Sequence, residues 1–373
     1  MEKPTLLIAV GTRPEVIKMA PLYFACKERE AFSTLLCASG QHFELLDSAL
    51  LSFGLTPDVR FASESGSLAE TTAHLLRRFS EAIDTLSPDG VAVHGDTLTA
   101  FCAALAAFYK GVPVFHVEAG LRTGDLRSPF PEELYRVVID RLAEHCFAPT
   151  ETARARLFEE GKDEEAVTLC GNTAIDALRY TVKESFSHPL LRLTEEKKLV
   201  LFTCHRRESH ARLASLFSEI RRAVEERDDV LMLFPVHPSP PVRRAAEGVF
   251  DKCKSVMLLP PLDITLFHNL LSRADLLLTD SGGVEEEATA LGVPTLVMRD
   301  KTERPEGVEA GVLFPVGTDG PAVREALTAA LTDPPVVCPS AVYGDGHAGE
   351  RIALRIEALL LEKKRGVLSA KKG

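Results

Sequence analysis

The chain has 373 residues, 45% of them hydrophobic and 26% charged, with a mean hydropathy of +0.03; that is the make-up of a folded globular protein long enough for two domains, and it excludes a disordered chain. Its 43 Lys and Arg against 54 Asp and Glu leave a net charge of −11, a field that repels nucleic acid and anionic lipid, so a phosphate-bearing partner is expected to be a small ligand held by a few local cations. The eight cysteines are scattered, with no C-x-x-C or zinc-like spacing, and no signal-peptide pattern or apolar run of ~18–20 residues is present; the expectation is a cytoplasmic protein with reduced thiols, no membrane or nucleic-acid partner and no metal.

Short runs rich in Val, Leu and Ile alternate with longer helical patterns, which predicts βαβ units around mostly parallel sheets. The first strand, Leu6–Val10, ends at Gly11-Thr12-Arg13-Pro14-Glu15-Val16-Ile17-Lys18, where Pro14 suits the first turn of a helix because its missing N–H would be unpaired there anyway. Arg13 and Lys18 then stand near the positive end of that helix, a ready diphosphate site, although two solvated basic residues account for the string equally well. One glycine in place of three separates it from the dinucleotide fingerprint, so a nicotinamide cofactor is not expected. Strand Val91–Val93 leads to His94-Gly95-Asp96, and Val114–Val117 to Glu118-Ala119-Gly120. A carboxylate at the end of a buried strand costs desolvation unless it is paired or used, and such a setting favours acid–base work. For each of Asp96 and Glu118 singly, a helix-capping or ion-paired structural role is at least as open, since Asp96 precedes Thr97 at an evident helix start. Glu132, in Ser128-Pro129-Phe130-Pro131-Glu132-Glu133, is a third candidate, against an i,i+4 ion pair with Arg136. Strands at Cys146–Ala148 and Val167–Cys170 complete the first series.

The more polar stretch Leu178–Lys198, with Pro189, is the best linker candidate. A second series follows, with strands at Leu199–Thr203, Val230–Pro235, Ser255–Leu259, Leu276–Thr279 and Thr295–Met298. Two Rossmann-like, doubly wound halves facing each other across a cleft are the expected architecture, with ligands outside the carboxyl ends of the strands. In the turn Thr203–His210, His205 is a candidate for phosphate contact or proton transfer, against a merely exposed basic loop. In Asp280-Ser281-Gly282-Gly283-Val284-Glu285-Glu286-Glu287, small residues between strand and helix let a phosphate approach backbone N–H groups. Glu285 and Glu286 are expected in a solvated first turn, and Glu287 is the better candidate for ribose hydroxyls. The charged loop Met298–Glu306 reads as surface, and the basic tail Lys363–Gly373 as frayed or surface-bound.

Taken in order, GTRPEVIKMAPL, VHGDT, HVEAGLRTGDLRSPFPEE, GNTAIDAL, HRRES, PVHP, TDSGGVEEEA and MRDKTERPEG cover most of residues 5–320 and closely resemble the non-hydrolysing UDP-N-acetylglucosamine 2-epimerases. That resemblance implies a glycosyltransferase-B fold, with an N-terminal domain of residues 1–172 on which a C-terminal helix, 351–373, packs back, and a UDP-binding domain of residues 173–350. It implies reversible conversion of UDP-GlcNAc to UDP-ManNAc for cell-surface polysaccharide precursors, by anti elimination of UDP and re-addition to a 2-acetamidoglucal, with no cofactor and a homodimeric assembly. Asp96, Glu118 and Glu132 would share the proton transfers, and Arg13, Lys18 and His205 would stabilise charge on the departing UDP. Phe267 and the main chain at Leu262 would hold the uracil, Ser281, Gly282 and Gly283 the phosphates, Glu287 the ribose, and Arg136 and Arg304 would lie near the sugar. Phe267 by itself reads as core, since it lies on an apolar helical stripe. Leu262 stands where some members have Gln, and Cys204 where relatives often have Gly. Gln41, His42, Arg206 and His237 match an allosteric UDP-GlcNAc site of bacterial members, but the loop Phe61–Ser67 has no basic residue where some relatives supply an arginine, which argues against activation. Hydrolysing relatives, which release ManNAc and UDP, usually carry Gly-Ser-Arg-Ala-Glu-Tyr at the first turn. The same strings leave room for a family member acting on a modified UDP-sugar, and the two-domain pattern for a true glycosyltransferase or a nucleotide-sugar sensor.

Overall fold

The structure is a computed structural model and describes residues 3–40, 43–62, 66–204, 213–300 and 304–370. The chain forms two α/β units, Met1–Ala177 with Gly344–Gly373, and Leu178–Tyr343. In the first, strands β1 (Thr5–Val10), β2 (Ser33–Ala38), β3 (Val59–Arg60), β4 (Gly90–His94), β5 (Val114–Val117), β6 (His145–Ala148) and β7 (Val167–Leu169) form a seven-stranded sheet in the order β3-β2-β1-β4-β5-β6-β7. Every pairing is parallel. β1 and β4 are apolar along almost their whole length rather than alternating, and both are buried nearly throughout. Helices on both faces of a parallel sheet demand that pattern.

One covering helix, Leu98–Tyr109, presents fully buried Ala100, Ala103, Ala104, Ala106 and Ala107, side chains small enough to let it lie close on the strands. The long helix Ala348–Ala370 belongs to this unit. Buried Asp176 accepts hydrogen bonds from the amides of Ala348 (3.1 Å) and Gly349 (2.7 Å) at its start, which satisfies donors that a helix leaves open and places an anion at its positive end. Further along, Leu360 packs under Gly90 of β4.

In the second unit, β8 (Lys198–Thr203), β9 (Val230–Pro235), β10 (Val256–Leu259), β11 (Leu276–Thr279), β12 (Thr295–Val297) and β13 (Leu313–Pro315) form a six-stranded parallel sheet in the order β10-β9-β8-β11-β12-β13. Phe202, Phe217, Phe234 and Phe250 fill one face of it, with Phe202 and Phe234 at 4.2 Å between centroids and Phe217 edge-on to Phe234 at 5.6 Å. Each sheet therefore grows outward in both directions from a central strand, β1 or β8. The crevices at the carboxyl ends of β1/β4 and β8/β11 are the topological switch points, where ligands of open α/β sheets bind.

Candidate active site

The carboxyl end of β1 runs into helix Arg13–Glu28, capped by the Thr12 hydroxyl, which accepts from the Glu15 amide. Gly11 precedes the cap because a Cβ there would run into the Thr99 and Ser39 hydroxyls, themselves hydrogen-bonded at 2.7 Å. Glu15 is 1% exposed. One of its carboxylate oxygens accepts the Gly11 amide at 3.0 Å and the other the Thr97 hydroxyl at 2.6 Å. It thereby fastens the turn after β1 to the turn after β4. Burial pushes its carboxyl up to about 7, against the downward pull of those hydrogen bonds.

Asp96 is not the cap of the helix after β4: Thr97 accepts the Ala100 amide at 3.0 Å and fills that role. Asp96 is instead ion-paired with Arg136. That arginine lies on helix Glu132–Leu142 and also approaches Glu133 at 3.3 Å, so the i,i+4 pair of Glu132 with Arg136 does not form. Glu133 is held by the amides of Thr123 (2.9 Å) and Gly124 (3.0 Å). Oε2 of Glu132 is buried and has no hydrogen-bond partner among the described residues, which is the condition in which a carboxylate is open to a ligand.

Glu118 follows β5 with a backbone φ of +66°, a left-handed conformation that costs a non-glycine residue on the order of 1–3 kcal/mol and persists only where its surroundings enforce it. Its carboxylate is ion-paired with Lys18, and His94 Nε2 lies 3.7 Å away. Burial first, then the Lys18 charge, pull His94 down to about 3 despite Glu118, so the ring is neutral and its approach to Glu118 is not an ion pair. The turns after β4 and β5 touch: a Cβ on Gly95 would lie 3.3 Å from Glu118 Oε1. The first unit therefore brings Lys18, Asp96, Glu118 and Arg136 to neighbouring strand ends as two oppositely charged pairs. Arg13 stands in the first turn of its helix on the same edge of the sheet.

In the second unit the turn after β11 enters helix Gly282–Leu291 at Ser281, whose amide donates to Thr279 Oγ1 at 3.0 Å. A Cβ on Gly283 would meet nothing within 4 Å, whereas one on Gly282 would lie 3.6 Å from the Arg304 guanidinium. An open helix start beside a cation is a site for a phosphate. The solvated first turn expected for Glu285 and Glu286 is not found, and all three glutamates are buried. Glu286 is ion-paired with Arg304, and Glu287 faces His268 at 3.4 Å. In the loop Met298–Glu306, expected as surface, Arg299 is buried, whereas Asp300 is exposed and accepts the Thr318 amide at 3.2 Å; residues 301–303 lie outside the described residues. Phe267 is buried on helix Ile264–Leu271, one residue before His268, and Leu262 precedes the capping residue Asp263. His237 is exposed after β9, its Nδ1 accepting the Ser239 amide at 3.2 Å. His205, Arg206, Gln41 and His42 lie outside the described residues.

Glu15, Glu133 and His268 were not expected at these sites from the sequence. Only Glu15 carried a readable signal, the Thr12-x-x-Glu15 spacing of a helix start. No three His, Cys, Asp or Glu side chains among the described residues are arranged to hold a metal. No described helix is long and apolar enough to cross a membrane.

The sequence pattern of the UDP-N-acetylglucosamine 2-epimerase family matches residues 24–357. The UDP-N-acetylglucosamine 2-epimerase of Bacillus subtilis (strain 168) is 45% identical over 367 residues, covering 96% of each chain. Among solved structures, S. aureus MnaA in its co-structure with UDP superposes with a TM-score of 0.88 at 40% identity, over 96% of this chain and 97% of that one. The UDP-GlcNAc 2-epimerase of Neisseria meningitidis bound to UDP-GlcNAc gives 0.87 at 34% identity, over 95% and 99%.

Proposed function

This chain belongs to the UDP-N-acetylglucosamine 2-epimerase family, and on that premise we propose that it interconverts UDP-GlcNAc and UDP-ManNAc without hydrolysis. The observation that carries the reading is the pair of charged couples at neighbouring strand ends, Glu118 with Lys18 and Asp96 with Arg136. The C2 proton of the sugar has no adjacent carbonyl to acidify it, so a base alone is insufficient and loss of the diphosphate has to share the barrier. Carboxylates for the proton and cations for the leaving group are both required, and this sheet edge supplies both.

In the proposed reaction the C2–H bond and the C1–O bond break on opposite faces of the ring, giving 2-acetamidoglucal, UDP and a protonated base. UDP then re-adds at C1 while a proton returns to C2 from the other face. Asp96, Glu118 and Glu132 share the two proton transfers, and Arg13, Lys18 and His205 stabilise charge on the leaving diphosphate. Ser281, Gly282 and Gly283 at the helix start hold phosphate, with Arg136 and Arg304 near the sugar, Glu287 on the ribose, and Phe267 with the Leu262 main chain beside the uracil. No cofactor is needed for this chemistry. The domains are proposed as residues 1–172 with 351–373, and 173–350, in a homodimer.

Steady-state kinetics of Asp96→Asn, Glu118→Gln and Glu132→Gln test the assignment. Each is expected to lower kcat by about 100-fold or more with UDP affinity retained. A variant with unchanged turnover removes its residue from the mechanism. Phosphorus NMR of the product mixture, if it showed free UDP accumulating, would assign the chain to the hydrolysing reaction instead.

A further inference from the structure

Two of the most deeply buried ionisable groups in the first unit are on the strand and helix behind the candidate carboxylates, and the chemistry above does not use them. His116 on β5 is 0% exposed and Asp140, on helix Glu132–Leu142, is 2% exposed. His116 Nδ1 lies 2.6 Å from Asp140 Oδ1, and its Nε2 lies 2.8 Å from the Gly95 carbonyl oxygen, both within hydrogen-bond distance. The other Asp140 oxygen accepts the Gly120 amide at 3.1 Å and pairs with Arg122 at 2.7 Å. His116 and Arg122 outweigh burial and hold the Asp140 carboxyl below the usual range. Both ring nitrogens of His116 face acceptors, so the ring is used from both ends.

The contacts of this pair end on the backbone of two turns. Gly95 immediately precedes Asp96, and Gly120 closes the turn that holds Glu118 at its φ of +66°. A buried ion pair is weak evidence of stability, since apolar residues of similar volume often serve as well; a role in holding two turns in register explains why polar groups sit here. We propose that the His116–Asp140 pair is a positioning element that sets the spacing between the Asp96 and Glu118 turns. It touches neither substrate nor reacting atoms. The inference rests on the proposed roles of Asp96 and Glu118.

His116→Asn keeps an amide donor toward Asp140 but is too short to reach the Gly95 carbonyl, so it cuts the link between the turns. Purified His116→Asn and Asp140→Asn are compared with wild type and with Glu118→Gln for UDP affinity, kcat, KM and the isotope effect on kcat with C2-deuterated UDP-GlcNAc. Misplacement of catalytic groups lowers kcat by roughly tenfold to a hundredfold. We expect that loss in both variants, with UDP affinity and KM within about threefold of wild type, and an isotope effect larger than that of wild type because proton transfer has become slower. Wild-type kcat in His116→Asn or in Asp140→Asn, or a loss that follows UDP affinity and melting temperature alone, overturns the positioning role. If Glu118→Gln keeps full turnover, the carboxylate assignment fails and this inference falls with it; if Glu118→Gln is inactive and His116→Asn is normal, only the positioning role is lost.

Discussion

At Glu15 the protein holds a carboxyl in a place that favours its proton. The native state binds that proton more tightly than the unfolded chain, because burial raises the carboxyl from 4.5 to about 7. The associated stability is therefore full below about pH 4.5 and is lost as pH rises through 7. Glu15→Gln can accept the Gly11 amide and donate to Thr97 without ionising. Its unfolding free energy relative to wild type is expected to improve between about pH 4.5 and 7, by on the order of 3 kcal/mol, and then to stay level; a difference independent of pH in urea titrations would contradict this. Asp96 and Glu118 were legible in the sequence because each stands just beyond an apolar run, Glu118 immediately after Val114–Val117 and Asp96 three positions after Val93. Their partners were not: Lys18 reaches Glu118 across 100 positions and Arg136 reaches Asp96 across 40, and nothing local to either string records such a pairing. His116 was hidden for a related reason, being one polar residue in an otherwise apolar strand whose contacts come from other elements.

Elements were legible where they were long and uniform. The central strands β1, β4, β5, β8, β9 and β11 were readable as apolar runs. The edge strands β3 and β13, of two and three residues, are set by pairing to their neighbours and were not expected from the sequence, nor was β2. The helix after β11 shows the opposite error: Glu285 and Glu286 read as a solvated turn, yet both are buried, Glu286 in an ion pair with Arg304 from a separate element. At the first turn the close approach of Gly11 to Thr99 and Ser39 ties β1 to the helix after β4. Gly11→Ala must push those hydroxyls apart, and overpacking of this kind costs about 1–3 kcal/mol. A lower denaturant midpoint together with reduced turnover is the expected result, since the same turn carries Arg13 and leads to Lys18. An alanine variant as stable as wild type would show that the turn has room the geometry denies.

For the whole molecule, a net charge of −11 coexists with cations gathered at strand ends, Lys18 and Arg136 in one unit and Arg304 in the other. This is the distribution expected of a protein that binds a small anion and not a polyanion. The two series of strands were visible in the sequence as a repeated alternation, and the resemblance to 2-epimerases rested on strings that fall at the carboxyl ends of those strands. If this set of carboxylates and cations removes and returns the C2 proton while UDP departs and re-adds, solvent hydrogen must enter the sugar at C2. Proton NMR of the protein with UDP-GlcNAc in D2O reads that exchange. UDP-ManNAc with deuterium at C2, deuterium entering the remaining UDP-GlcNAc as well, and no accumulating ManNAc are the expected result. An epimer that retains its C2 proton, or a spectrum unchanged while UDP-GlcNAc is bound, would contradict the elimination chemistry.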